Sequence, residues 1–137
     1  MTPRLDAIGL VARDLPATLA FYRLLGLEFP ADAADHVEVA VGGLRLLIDS
    51  VDTIASFDAS FDPDEDLGGS SLAFACADAA EVDRVHAEIV AAGHPSHLDP
   101  FDAFWGQRYA VVTDPDGSSV DLYCDLPGAP VLQAPPE

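Results

Sequence analysis

The stretch Ala7–Gly26, AIGLVARDLPATLAFYRLLG, has a counterpart in Ser71–Gly93, SLAFACADAAEVDRVHAEIVAAG. Each begins as a short strand-like run (Leu5 to Ala12, Ser71 to Ala77), passes an aspartate, continues with apolar residues at helical spacing and ends at a glycine. Asp14 and Asp78 stand where a short acceptor side chain caps the free N–H groups of a first turn. Glu81, three residues after Asp78, makes a variant of the capping box. Gly26 and Gly93 stand where a helix stops in a left-handed residue. The predicted helices run to Leu25 and Ala92. Their apolar stripes are Ala17, Phe21 and Leu24 in the first copy, and Val82, Val85 and Ile89 in the second.

Two hairpins follow. His36 to Val41 and Leu44 to Asp49 are joined through Gly42-Gly43, and Arg108 to Thr113 and Ser118 to Cys124 through Asp114-Pro115-Asp116-Gly117. In that second joint proline fixes φ early and glycine takes the conformation other residues avoid. A further strand is expected before each hairpin, within Pro30 to Asp35 and Pro95 to Phe101. The pattern predicts an α+β fold of two βαβββ modules whose curved mixed sheets surround a cleft. The modules cover about residues 5–49 and 70–126 of a single domain, 1–126, with a linker over 50–69. A loosely ordered tail is expected over 127–137, where four of eleven residues are proline.

Side-chain alternation assigns the faces. Ile8, Leu10 and Ala12 are expected beneath the helix, with Ala7, Gly9 and Val11 opposite. Leu44, Leu46 and Ile48 oppose Arg45, Leu47 and Asp49. In the second copy Leu72, Phe74 and Cys76 oppose Ser71, Ala73 and Ala75, while Val120, Leu122 and Cys124 oppose Ser119, Asp121 and Tyr123. One face of each sheet is ordinary core, and the other is small and mixed-polar, as a cleft wall would be.

Composition narrows the function. Twenty-four acids face six bases, all arginine, for a formal charge of −18. Such a field repels nucleic acid and anionic membrane and attracts cations, although acids spread over solvated faces would give the same total. No apolar run approaches the roughly 20 residues that span a bilayer, and Met1-Thr2-Pro3-Arg4 does not begin a signal peptide. A cytoplasmic protein is expected. Cys76 and Cys124 lie in apolar runs without a C-x-x-C partner and read as buried reduced thiols. Nucleophile elbows, cysteine–histidine pairs and glycine-rich phosphate loops are not apparent in the sequence.

The duplicated pattern resembles the vicinal oxygen chelate superfamily of glyoxalases, bleomycin-resistance proteins and extradiol dioxygenases, over Leu5 to about Leu126. The likeness is carried by Val11-Ala12-Arg13-Asp14 running into Ala20-Phe21-Tyr22 and Leu25-Gly26-Leu27. It is carried also by Trp105-Gly106-Gln107-Arg108 running into Asp114-Pro115-Asp116-Gly117, which looks most like the bleomycin-resistance branch. In metal-using members four ligands, usually two His and two Glu, lie on the cleft faces. By the internal repeat those positions are Ala7, Leu47, Ser71 and Asp121. Only Asp121 is a ready metal ligand, and catalytic sites normally bring three protein ligands or more, so no metal or other cofactor is expected. The resemblance also implies a homodimer.

Individual residues divide between functional and ordinary readings. Asp121, beside Tyr123, is either a cleft acceptor for a ligand or a salt-bridge partner of Arg45. Phe101, Phe104, Trp105 and Tyr109 are either core plugs or a stacking surface for a planar or cationic ligand. Phe57 and Phe61 with Asp58, Asp62, Asp64, Glu65 and Asp66 form either a solvated crossing or an acidic lip that steers cations. His86 is expected on a solvated helix face, and His94 and His97 after a helix end. His36 with Glu38 is the remaining metal pair, outweighed by simple surface pairing. The leading function is metal-independent binding of a small aromatic or cationic compound such as an antibiotic. The ligand residues would be Asp121, Trp105, Phe104, Tyr109, Tyr123, Arg45, Leu47, Ser71 and Phe57, with no catalytic set assigned. The alternative is a metal-dependent lyase, isomerase or dioxygenase with atypical ligands. A third possibility is an accessory domain whose cleft serves only dimer packing.

Overall fold

In the computed structural model, which describes residues 2–128, the two copies fold as α+β elements on two separate sheets. The tail expected from Pro127 onward lies, past Gly128, outside the described residues. One unit comprises the chain up to Ser71 together with Thr113–Ser119, and the other comprises Leu72–Val112 and the chain from Val120.

The first unit contains β1 (Ala7–Ala12), α1 (Leu15–Leu24), β2 (His36–Val41), β3 (Leu44–Ser50), α2 (Val51–Ala55) and α3 (Pro63–Asp66). Its sheet has the order β1-β3-β2, with β1 parallel and β2 antiparallel to β3. Asp14 caps α1 by accepting from the Ala17 N–H at 3.2 Å. Gly26, at φ 92°, ends it in the left-handed conformation that glycine tolerates best. Leu10, Ala12, Val37, Leu46 and Ile48 form the buried face of the sheet, on the alternation the sequence predicts. Ile8 departs from it and is exposed.

The helix stripe is phased differently from the expectation. Leu15, Thr18, Leu19, Phe21 and Tyr22 are buried, whereas Leu24 is exposed. Thr18 and Tyr22 can face inward because carboxylates meet their hydroxyls. The Tyr22 hydroxyl donates to Asp114 Oδ2 at 2.7 Å, and the Thr18 hydroxyl to Asp116 Oδ2 at 2.7 Å. Both acids lie in the Asp114-Pro115-Asp116-Gly117 turn, which belongs to this unit. Asp114 also accepts from the N–H groups of Asp116 and Ser118 at 2.9 Å each. Gly117 turns at φ 87°.

No strand forms over Pro30–Asp35, contrary to expectation. The Pro30 carbonyl accepts from the Ala33 N–H at 3.2 Å, closing a turn, and Arg23 lies 5.6 Å over the Phe29 ring. The linker is not bare either. Ser50 caps α2 through the Thr53 N–H, and Asp62 caps α3 through the Asp64 N–H.

The second unit is built on β4 (Ser71–Ala75), α4 (Ala79–Ala91), β5 (Ser96–Asp102), β6 (Gln107–Thr113) and β7 (Ser119–Asp125), in sheet order β4-β7-β6-β5. Here the extra strand does form, as an edge. Its register with β6 slips twice between Ser96 and Phe101. Pro100 sits in that irregular stretch, where a residue without an N–H is tolerated at a sheet edge. Asp78 caps α4 by accepting from the Glu81 N–H at 2.8 Å, and the Glu81 carboxylate reaches back to the Ala77 N–H at 3.2 Å. The core is Ala110, Val112, Val120, Leu122 and Cys124 with Val82 and Ile89.

His86 corrects the expectation of a solvated position. It lies buried on the inner side of α4 between Val82 and Ile89, with Nε2 2.8 Å from the Ser96 hydroxyl. Its acidic helical neighbours pointed outward by association, but the i, i+4 spacing from Val82 places it on the core stripe.

Replacing Tyr22 with Phe removes a buried donor from Asp114. The expected cost is about 1–3 kcal/mol, the usual penalty for a buried acceptor left without a partner. Urea unfolding should show a lowered midpoint. Thr18→Val should cost less, because Asp116 is only partly buried and water can reach the oxygen that Thr18 leaves.

Candidate functional site

The open face of the second sheet gathers a cluster of aromatic rings, one of which bonds a carboxylate. Tyr109 on β6 projects to this face, and register places Phe101 of β5 opposite it. Trp105 sits in the turn between β5 and β6, where the Gly106 N–H donates to the Ala103 carbonyl at 3.0 Å and Gly106 has φ 93°. The Trp105 ring lies 5.5 Å from Tyr109, 6.4 Å from Phe101 and 5.0 Å from Phe104, all near-perpendicular. Edge-to-face contact sets the negative face of one ring against the positive edge of another. Phe104 is 96 % exposed and Trp105 43 %, so the cluster is no core plug.

Polar contacts fix these rings. The Trp105 indole N–H donates to Gln107 Oε1 at 2.8 Å, and Gln107 Nε2 donates to Asp125 at 3.1 Å. The Tyr109 hydroxyl donates to Asp121. Partial burial, reinforced by Asp121, pushes the Tyr109 phenol up to about 12. It therefore stays protonated at neutral pH and holds one carboxylate oxygen by a charge-assisted bond. Tyr123 shares the face by alternation with Asp121.

A different network covers the open face of the first sheet. Arg45 donates to Asp6 at 2.6 and 3.2 Å and also to Glu38. His36 has Nε2 3.0 Å from Glu38 and Nδ1 2.5 Å from Asp49, the residue directly opposite it on β3. Hydrogen bonding to Glu38 first and to Asp49 second raises the His36 imidazole above its ordinary range. The Glu38 carboxyl is lowered in turn, chiefly by His36.

The site residues expected from sequence divide between the two units. Phe104, Trp105, Tyr109, Asp121 and Tyr123 come together on the second sheet. Arg45 and Leu47 share the open face of the first. Ser71 opens β4 as an exposed residue, and Phe57 is exposed after α2. The linker acids do local structural work. Asp62 caps α3, Asp66 accepts from the Asp62 N–H at 2.9 Å, Asp58 binds Ser60, and Asp64 pairs with Arg13 at 3.0 Å. Gln107, Asp125 and Asp49 were missed as partners. Counting by two from Tyr109 and Asp121 finds the first two, whereas Asp49, already on the face of Leu47, needs the β2–β3 register to meet His36.

The four positions that the resemblance assigns to metal ligands carry few donor atoms in this chain. Ala7 and Leu47, on one face of the first sheet, offer no donor atom, Ser71 offers a hydroxyl, and Asp121 already accepts from the Tyr109 hydroxyl. Both ring nitrogens of His36 are engaged by carboxylates, which leaves His36 and Glu38 an ion pair. Among the described residues no group of three or more His, Cys, Asp or Glu side chains is arranged to hold a metal ion.

A model of the Glyoxalase/Bleomycin resistance protein/Dioxygenase superfamily matches residues 4–122. Among solved structures, a glyoxalase-related enzyme from Fulvimarina pelagi is similar at TM-score 0.77 and 22 % identity, over 90 % of this chain and 89 % of that one. A lactoylglutathione lyase from Agrobacterium tumefaciens is similar at TM-score 0.65 and 27 % identity, over 90 % and 95 %. A glyoxalase/bleomycin resistance protein/dioxygenase from Nocardioides is similar at TM-score 0.71 and 20 % identity, over 98 % and 91 %. Nothing among curated protein sequences matches.

The raised His36 sets a pH dependence. Its contribution to stability is fully present below the unfolded value near 6.5 and is lost as pH rises through the folded value. NMR titration of the imidazole should give a midpoint above 6.5, and Asp49→Asn should bring it down. A midpoint unmoved by that substitution would show that Asp49 does not hold the charge.

Proposed function

The chain belongs to the glyoxalase/bleomycin resistance protein/dioxygenase superfamily, and from that premise we propose that it is a metal-independent binding protein for a small aromatic, cationic compound such as an antibiotic. The observation that carries this reading is the open face on which Phe101, Trp105 and Tyr109 stand edge to face beside the Tyr109–Asp121 hydrogen bond. A flat ligand would stack against these rings, and each aromatic contact adds about 0.5–1.5 kcal/mol beyond the area it buries. Because the polar contacts of Trp105 and Tyr109 already hold the rings in place, little side-chain freedom is lost on binding. The formal charge of −18 raises the local concentration of a cation and lowers that of an anion. Asp121 supplies the nearby negative charge.

A titration with bleomycin, and with planar aromatic amines matched to uncharged analogues, tests the proposal. Trp105 is the only tryptophan in the chain, so its fluorescence reports directly. Saturable quenching by cationic members is the expected result. By calorimetry Trp105→Ala should weaken binding tenfold or more, about 1.4 kcal/mol. Asp121→Asn should weaken the charged ligands while sparing the uncharged ones. Affinities unchanged by Trp105→Ala would remove the aromatic face from the binding site.

The likeness to the Agrobacterium lactoylglutathione lyase favours a second reading, in which the chain is a lyase, isomerase or dioxygenase with atypical ligands. Metal analysis separates the two. Protein purified without a histidine tag should carry far less than one metal ion per chain and retain none after a divalent excess is removed. Stoichiometric iron, zinc, manganese or nickel would reverse the order of the two readings.

A further inference from the structure

The two cysteines meet on adjacent strands. Cys76 directly follows β4, and Cys124 lies in β7, its neighbour in the sheet. Two backbone bonds fix the pairing of these strands. The Ser119 N–H donates to the Ser70 carbonyl at 3.1 Å, and the Cys76 N–H donates to the Tyr123 carbonyl at 2.7 Å. The first of these has its counterpart in the first sheet, where the Arg45 N–H donates to the Asp6 carbonyl at 3.0 Å. In that parallel pairing Ala12 stands opposite Ser50. The same register carried to the second sheet sets Cys76 opposite Cys124.

Alternation sends both side chains to the same face, with Phe74 and Leu122. Neighbouring strands lie about 4.8 Å apart, within the Cα separation of roughly 4.4–6.8 Å that a disulfide spans. Cys124 is buried and Cys76 only partly so, and both thiols are free. Burial raises both above the ordinary thiol range, and Cys124 adds to the rise at Cys76.

We propose that Cys76 and Cys124 form a redox pair that closes into an intrachain disulfide across β4 and β7 on contact with a low-molecular-weight disulfide. Cys76, the more accessible thiol, loses its proton to solvent, and its thiolate attacks one sulfur of the small disulfide. That S–S bond breaks, a mixed disulfide forms on Cys76, and one thiolate leaves. The Cys124 thiolate then attacks Cys76 Sγ, closing the protein disulfide and expelling the second small thiolate. Two protein thiols are oxidised, one small disulfide is reduced to two thiols, and the two protons released by the cysteines end on those thiols. The raised thiols make the reaction slow at neutral pH and faster in alkaline buffer. The new bond would tie the edge strand β4 to the strand that carries Asp121 and Tyr123.

The test uses the full chain equilibrated with oxidised and reduced glutathione, quenched in acid and alkylated with iodoacetamide under denaturing conditions. Reduced protein should take up two alkyl groups. Oxidised monomer should take up none, weigh two hydrogens less and be restored by dithiothreitol. Cys124→Ser should instead retain one glutathione on Cys76. Two alkyl groups at every glutathione ratio would overturn the proposal, as would stable glutathione adducts or an interchain bond in the wild type. The readout is mass, so its outcome is distinct from that of the ligand titrations.

Discussion

The Asp114 carboxylate is the constraint on which the first unit depends. It is buried and accepts from the Tyr22 hydroxyl and from two backbone N–H groups of its own turn. Burial, with a smaller push from the Asp116 charge, raises the Asp114 carboxyl, and the three donors oppose that rise. The pattern explains why Asp-Pro-Asp-Gly occurs here rather than a shorter turn. The first aspartate organises the turn from within, the proline sets its φ, and the second aspartate remains available for Thr18 and the Arg13 N–H. Gly68 approaches the same turn so closely that a Cβ there would lie 3.4 Å from the Asp116 carbonyl oxygen. Helix, turn and linker thus converge on one small set of polar atoms.

Much of this could be read from the chain. Both caps, both helix-ending glycines and the second hairpin turn follow from local chemistry that is the same wherever such residues meet. Strand faces follow from the period of two, and so the open faces carrying Asp121 and Arg45 were legible. What escaped were features decided by partners distant in sequence. Nothing local says that Thr18 and Tyr22 face inward, because the acids that satisfy them lie some ninety residues on. His86 differs in kind, because its i, i+4 spacing from Val82 already puts it on the core stripe, where Ser96 meets its ring. Pro30 stops a strand where Pro100 only bends one, since β5 is an edge and its irregular register absorbs the missing N–H.

The candidate site was legible as residue types but not as contacts. The aromatic cluster around Trp105 was visible and the hairpin joining β6 to β7 was expected, whereas the bond from Tyr109 to Asp121 depends on the register of that hairpin. Arg45, which the sequence offered as a salt-bridge partner for Asp121, pairs with Asp6 and Glu38. The two sheets therefore present unlike open faces. One is a ladder of paired charges, and the other is aromatic with a carboxylate at one side.

That contrast bears on the kind of ligand each face could hold. All six arginines are engaged: Arg4 with Asp6, Arg13 with Asp64, Arg45 with Asp6 and Glu38, Arg84 with Glu81 and Glu88, Arg108 with Asp83 and Asp102, and Arg23 with the Phe29 and Pro30 carbonyls. An anionic ligand would have to displace one of these partners. Displacing an exposed pair costs little, since such pairs are worth about 0–1 kcal/mol each. The larger obstacle is the field. Twenty-four acids against six arginines leave eighteen charges uncompensated, and every anion must approach through them. A cation meets the opposite situation and finds on the second sheet both rings to stack on and a carboxylate at their side. Long-range charge and local chemistry favour the same class of molecule there, and on the first sheet they oppose each other.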